Sequence, residues 1–296
     1  MKINPNDVIA HVGLGGALAS KGDWDAAITE YREALRLNPN LDDTHALLGA
    51  ALGKKGDWEG EIAEEHEALR VNPKNEDAHV ALGQALGRKG DWDGAIAEYH
   101  EALRLNPNND FAHWELGKAL TWKGDWDGAI AEEREALRVN PNNEDAHVVL
   151  GQALGQKGNW DGAIAEYHEA LRLNPNNDFA HWELGKALTW KGDWDGAIAE
   201  EREALRLNPN LDDAHALLGA VLGKKGDWDR EIAEEREALR LNPKNGQAHY
   251  TLGFALELKG SRREALQEYR TAYELNPQGQ GYRQAYERLL QQTSRR

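Results

Sequence analysis

DFAHWELGKALTWKGDWDGAIAEEREALRVNPNN, residues 110–143, holds one complete structural unit of the chain. Its apolar spacing predicts a first helix from Asp110 to Trp122. Lys123-Gly124-Asp125 breaks that helix. Gly124 suits the left-handed position after a helix end, and Asp125 can cap the next helix by accepting from its free N–H groups. The second helix runs from Trp126 to about Val139 and stops at Asn140-Pro141, because proline disfavours helix in the residue before it. Gly117 sits mid-helix, at a cost of about 1 kcal/mol against alanine. A missing side chain there lets the two helices approach closely. The unit is therefore a helical hairpin.

The hairpin recurs. All nine prolines fall on one ladder with a step of 34 residues, from Pro5 through Pro141 to Pro277. Seven tryptophans, Trp24 to Trp228, keep the same step, as do eight histidines, His11 to His249. A fixed period of this size is the mark of a solenoid, in which each unit packs only on its neighbours. A second period is also visible: residues 76–143 and 144–211 differ at five places in 68. Recent duplication of a two-hairpin block and design both account for it.

Offset by offset, residues 110–143 resemble the tetratricopeptide repeat family. His113, Leu116-Gly117, Leu120, Trp126, Ala129, Glu133, Ala136 and Pro141 stand where that family has a large residue, Leu-Gly, an aromatic, a small alanine, another aromatic, another alanine and proline. The likeness extends over eight units: 8–41, 42–75, 76–109, 110–143, 144–177, 178–211, 212–245 and 246–279. Residues 1–7 read as the end of a partial preceding repeat. The resemblance implies an all-α, right-handed superhelical solenoid of antiparallel hairpins, with first helices lining a concave side that binds peptides or proteins.

After the last repeat, Tyr282, Ala285, Tyr286, Leu289 and Leu290 share one face of a helix at i, i+3, i+4, i+7, i+8 spacing. Arg283, Glu287, Arg288 and Gln291 occupy the other. Residues 280–292 are thus expected to be a C-terminal capping helix. No such cap precedes Ile9, Val12 and Leu14, so end-to-end self-association through the first hairpin is expected. The stretch Val8 to Ala19 has the look of a short signal-peptide core. It is also in register with every later first helix, and we read it as one.

Composition limits the chemistry. The absence of cysteine rules out disulfides, zinc thiolate sites and thiol nucleophiles. With 35 basic and 51 acidic residues the net charge is −16, a field that repels a phosphate backbone, so no nucleic-acid partner is expected. The charge is uneven, since residues 246–296 carry a net +3. No apolar run is long enough to span a bilayer, and a cytoplasmic protein without a membrane partner is expected. The sequence lacks a Gly-rich phosphate loop, a nucleophile elbow and a His-Glu metal motif. No catalytic residues, metal or cofactor are expected.

The sharpest binding signal is an aromatic stripe. Phe111, Trp114, Lys118 and Trp122 lie at 0, +3, +7 and +11, within roughly an 80° sector of the helix. His113, Leu116 and Leu120 face the hairpin core on the opposite side. The stripe recurs as Phe179, Trp182, Lys186 and Trp190, and Tyr250 and Phe254 add aromatics in the last hairpin. The family resemblance puts these positions in the concave groove. Elsewhere the same positions are small or aliphatic, as at Ala46 and Ala50. Trp clusters rimmed by polar groups mark binding sites, so these ten residues are the candidate peptide-binding set. A self-assembling scaffold, or a designed repeat without a natural partner, are the alternatives.

Two further features call for a structural account. Each ladder histidine stands where a large apolar residue is usual, and we expect a core histidine with one hydrogen-bond partner rather than a pH sensor or metal ligand. Glu61, Glu65, Glu231 and Glu235 replace the usual small and aromatic residues of the second helix. Glu133 and Glu201 sit where Tyr31, Tyr99 and Tyr167 sit in other units. Carboxylates there need partners; a ladder histidine or an arginine of the next hairpin is the expected one.

Overall fold

The computed structural model describes residues 7–294, so all but Asp7 of the partial repeat expected over residues 1–7 lies outside the described residues. The described residues form helices joined by short turns. The first helices of the hairpins are α1 (Val8–Ser20), α3 (Asp42–Lys54), α5 (Glu76–Lys89), α7 (Asp110–Lys123), α9 (Glu144–Gln156), α11 (Asp178–Lys191), α13 (Asp212–Lys224) and α15 (Gly246–Leu258). The second helices are α2 (Trp24–Leu37), α4 (Trp58–Val71), α6 (Trp92–Leu105), α8 (Trp126–Val139), α10 (Trp160–Leu173), α12 (Trp194–Leu207), α14 (Trp228–Leu241) and α16 (Arg262–Leu275). A last helix, α17 (Gln280–Ser294), follows. The chain divides into two compact units, Met1–Ala153 and Leu154–Arg296.

The punctuation acts as its chemistry requires. Gly124 has φ +78°, a backbone angle that a side chain would strain. The Asp125 carboxylate accepts from the Gly128 N–H at 3.0 Å, and Asp23, Asp57, Asp91, Asn159, Asp193 and Asp227 cap their second helices in the same way. Most first helices are capped by an asparagine; α3 and α13 follow Leu41 and Leu211, which make no side-chain cap.

In the first unit α1 to α8 pack in sequence, each hairpin closing on itself and on the next. Its core runs through Ala27, Ile28, Tyr31, Leu48 and Leu52, and again through Val80, Ala95, Tyr99, Ala112 and Leu116. The second unit repeats the arrangement over α10 to α17, with Ala197, Leu218 and Leu222 in one cluster and Leu252, Leu256, Tyr269, Ala285 and Leu289 in another. Burial of Ala285 and Leu289 lays α17 against α16 with Arg283, Glu287 and Arg288 outward; Leu290, expected on the buried face, is instead 39% exposed. Among the described residues no helix is long and apolar enough to cross a membrane.

The recurring mid-helix glycine has a specific reason. A Cβ on Gly117 would lie 2.3 Å from Glu133 Oε1, and one on Gly83 would lie 2.6 Å from the Tyr99 ring. The gap left by the glycine is filled by the large side chain that the second helix projects across the hairpin, whether tyrosine or glutamate. The close approach is side chain to backbone.

Candidate functional site

The aromatic stripe of α7 divides into two parts. Trp122, at the C-terminal end, is 71% exposed. Its ring stacks on Trp92 of the preceding hairpin, centroids 5.6 Å apart and planes within 7°. Toward the N-terminal end, Trp114 is half-buried. Phe111 tilts against it at 5.4 Å, and the Lys118 ammonium sits 4.1 Å from its ring centroid, a cation–π contact. Lys118 also donates to Glu115 at 3.1 Å. Glu115 in turn accepts from the Gln84 amide at 2.8 Å and from the Tyr99 hydroxyl at 3.5 Å. The positive charge inside the stripe is therefore matched locally.

Between these parts opens a cleft of 330 Å³ lined by Gln84, Arg88, Trp92, Tyr99, Glu115, Lys118 and Trp122. One wall is the stacked indole pair; the others are polar. Burial beside the Glu115 carboxylate pushes the Tyr99 hydroxyl far above its usual range, so it stays a hydrogen-bond donor. On the far rim, Arg88 donates to both Glu61 oxygens at 2.9 and 3.0 Å and lies over the Trp58 ring.

The second unit repeats the pattern. Trp190, also 71% exposed, stacks on Trp160 at 5.4 Å and 6°. Phe179 tilts against Trp182, and Lys186 lies over Trp182 and donates to Glu183. Trp114 and Trp182 each bury an indole N–H without an acceptor. Of the last pair of candidates, Phe254 is exposed and meets Trp228 edge-on at 6.3 Å. Tyr250 is half-buried between Tyr269 and Tyr282.

The second-helix tryptophans, first recognised as period markers, thus help build the candidate site. The signal for it is the separation of 30 residues between Trp92 and Trp122, repeated by Trp160 and Trp190. The first-helix position held by Arg88, Trp122, Trp190 and Leu258 is the one that follows a second-helix tryptophan by 30.

Six of the eight ladder histidines have two hydrogen-bond partners, not the single one that the sequence led us to expect. In His113, Nδ1 lies 2.6 Å from Glu132 Oε2 and Nε2 lies 3.1 Å from the Pro107 carbonyl. His45, His79, His181, His215 and His249 have the same two partners, a glutamate 19 residues on and a proline carbonyl six residues back. Both partners accept, and in His113, His181, His215 and His249 the pKa is raised, so both ring nitrogens of these four donate, as in an imidazolium. Burial opposes the charge on His113, but the hydrogen bonds to Glu132 and Pro107 outweigh it and raise its pKa. Successive histidines stay on separate hairpins. Among the described residues no three His, Asp or Glu side chains converge as metal ligands.

These pairings engage Glu132 and its equivalents, so the histidines do not satisfy the buried second-helix carboxyls. Glu61 alone has the arginine of the next hairpin, Arg88. Glu133, Glu201 and Glu235 are fully buried with both oxygens unpartnered, and one oxygen of Glu65 is also unpartnered. Desolvation drives their carboxyls up, to about 10 for Glu133, about 9 for Glu201 and Glu235 and about 8 for Glu65. At neutral pH they are carboxylic acids filling the space that tyrosine fills elsewhere.

Comparison with known proteins agrees with this architecture. A family model described as TPR repeat matches residues 15–56, 151–189 and 185–226, and one described as tetratricopeptide repeat matches 45–110, 80–144 and 217–280. No curated protein matches the sequence. Among solved structures, the APC/C hetero-tetramer Cut9–Hcn1 superposes with TM-score 0.71 at 19% identity over 90% of this chain. This chain spans 52% of the length of that one. MamA is 29% identical, with TM-score 0.51, over 55% of this chain and 95% of its own. YrrB, a TPR protein with an unusual peptide-binding site, matches at 22% identity and TM-score 0.52, over 62% of this chain and 95% of its own.

Proposed function

Because the chain belongs to the tetratricopeptide repeat family and is thereby a protein–protein interaction scaffold, we propose that a peptide segment of its partner lies along the first-helix face. In this reading apolar side chains of the segment pack against a stacked indole pair, Trp92–Trp122 in the first unit or Trp160–Trp190 in the second. The carrying observation is the pair of tryptophans each 71% exposed and stacked on a second indole. In the first unit the pair forms one wall of the 330 Å³ cleft. A folded chain gains little by leaving two such rings in water, whereas desolvated Trp supplies much of the anchoring energy at interfaces. Gln84 and Lys118 at the cleft offer N–H donors to peptide carbonyls. Members of the family are typically non-enzymatic, and the site's polar groups hydrogen-bond one another rather than exposing a nucleophile and base.

The test is selection of random displayed peptides against the intact chain, followed by binding of the enriched peptides to Trp122→Ala/Trp190→Ala. Loss of binding with a melting temperature within a few degrees of wild type supports the reading. Undiminished binding overturns it.

A second reading, self-association, is favoured by a different observation. Ile9 is 84% exposed and, with Val8, Val12 and Leu41, lines an apolar hollow. Light scattering across concentration, with Ile9→Glu as the control, tests it.

A further inference from the structure

Repeats two and seven share an acidic second helix, WEGEIAEE at residues 58–65 and WDREIAEE at 228–235. They alone have glutamate at the position of Glu61 and Glu231; the other repeats have alanine. In repeat two that carboxylate is filled. Arg88 from the next first helix donates Nη1 to both Glu61 oxygens at 2.9 and 3.0 Å, and its guanidinium lies 5.1 Å from the Trp58 ring centroid.

In repeat seven the arginine is missing. The residue equivalent to Arg88 is Leu258, which is 51% exposed and offers no donor. Glu231 is only 2% exposed, and its Oε2 has no hydrogen-bond partner. It faces Gly223 of α13, just as Glu61 faces Gly53, and has Glu235 as its acidic neighbour on α14. Desolvation holds its carboxyl up at about 7. Nearby cations do not take the place of Arg88: Arg230 pairs with Asp227, Lys225 with Asp195 and Lys259 with Asp229, and Lys224, beside Gly223, forms no ion pair with Glu231. Trp228, the counterpart of Trp58, carries the edge of Phe254 at 6.3 Å.

We propose that Glu231 and Trp228 form a socket for an arginine side chain supplied by the partner protein, which takes the place that Arg88 takes in repeat two. The guanidinium donates to the Glu231 carboxylate and lies against the Trp228 ring. Leu258 must swing aside, a side-chain motion open to an exposed residue on a nanosecond scale. A carboxylate buried beside an aromatic face suits guanidinium, which is planar and more weakly hydrated than ammonium. Although residues 246–296 beside it carry a net +3, α14 itself holds five acidic and three basic residues, and the acidic α14 face favours a basic segment at the socket. The socket rests on the first-helix face being the partner-binding face, and it adds that the partner segment is basic at this point.

The test uses a small probe, so that its failure leaves the tryptophan reading standing. Acetyl-Gly-Arg-Gly-amide is titrated into the full chain at pH 8, where Glu231 is ionised, while the Trp228 indole N–H resonance is followed by NMR. That resonance is assigned with Trp228→Phe. The neutral analogue with citrulline in place of arginine is the control. We expect a saturable shift with arginine and an affinity at least about tenfold weaker with citrulline. Glu231→Gln and Leu258→Arg should each abolish the arginine shift, the second by filling the socket from within. Leu258→Arg is a surface change and should also raise the melting temperature. Absence of a saturable shift in wild type, or its persistence in either folded variant, overturns the proposal.

Discussion

Glu133→Gln isolates what a buried acid does to this fold. The amide keeps the shape of the carboxyl but cannot ionise. In the folded chain desolvation pushes the Glu133 carboxyl up to about 10 against an ordinary value of 4.5; Lys118 pulls it down, while Glu115, Glu132 and Asp145 add to the rise. A folded pKa raised in this way contributes stability that is complete below about pH 4.5 and is lost as pH climbs toward 10. The unfolded chain ionises through that window while the folded chain holds its proton. The slope is about 1.4 kcal/mol per pH unit, so wild type loses on the order of 4 kcal/mol between pH 5 and pH 8 through this one group. Glu133→Gln escapes that loss. It should match wild type within about 1 kcal/mol at pH 5 and exceed it by several kcal/mol at pH 8. Repeat arrays need not unfold in one step, so the assay is amide hydrogen exchange in α7 and α8, variant against wild type at each pH, with urea midpoints alongside. An equal difference at both pH values would refute the reasoning, because it would mean that Glu133 is ionised inside the folded hairpin.

Other consequences are separable from this one. His113→Gln should cost more at pH 5.5 than at pH 9, by about 1 to 2 kcal/mol, because the raised histidine pKa makes the contribution of the Glu132 pair complete below about 6.5 and lost as pH rises through the folded value; paired urea titrations check it. This departs from the equal cost that a singly bonded, neutral core histidine would give. Trp114→Ala should destabilise by about 2 kcal/mol or more, while Trp122→Ala should change stability by under about 1 kcal/mol, since one ring is half-buried and the other exposed; thermal melts distinguish them. Ile9→Glu should leave melting unchanged and lower any concentration-dependent light scattering.

Much of the fold was legible because its determinants are local. Gly124, Asp125 and Pro141 each act within a turn or two of their own position, and a step of 34 residues repeats the message until it is unmistakable. The site was legible only in outline. On a bare helical cylinder Phe111, Trp114, Lys118 and Trp122 of α7 fall in one stripe. Packing then drew Lys118 over Trp114 and set Trp122 on Trp92 from another hairpin. That partner lies 30 residues away, beyond any helical spacing. The histidine partners were missed for a similar reason. Glu132 follows His113 by 19 residues, across the turn, and only the recurrence of that spacing in every repeat could have revealed it. The fate of Glu133 depends on how completely the hairpin excludes water, which residue order alone does not state.

The central claim is that partners contact the exposed indoles of the first-helix face. Labelling the chain with 5-fluorotryptophan gives each of its 11 tryptophans its own resonance, assignable by single Trp→Phe changes. On titration with a peptide enriched by selection against the wild-type chain, the Trp122 and Trp190 resonances should move, together with their stacking partners Trp92 and Trp160, while Trp24 stays in place. Saturable binding that leaves Trp122 and Trp190 unmoved would contradict the account.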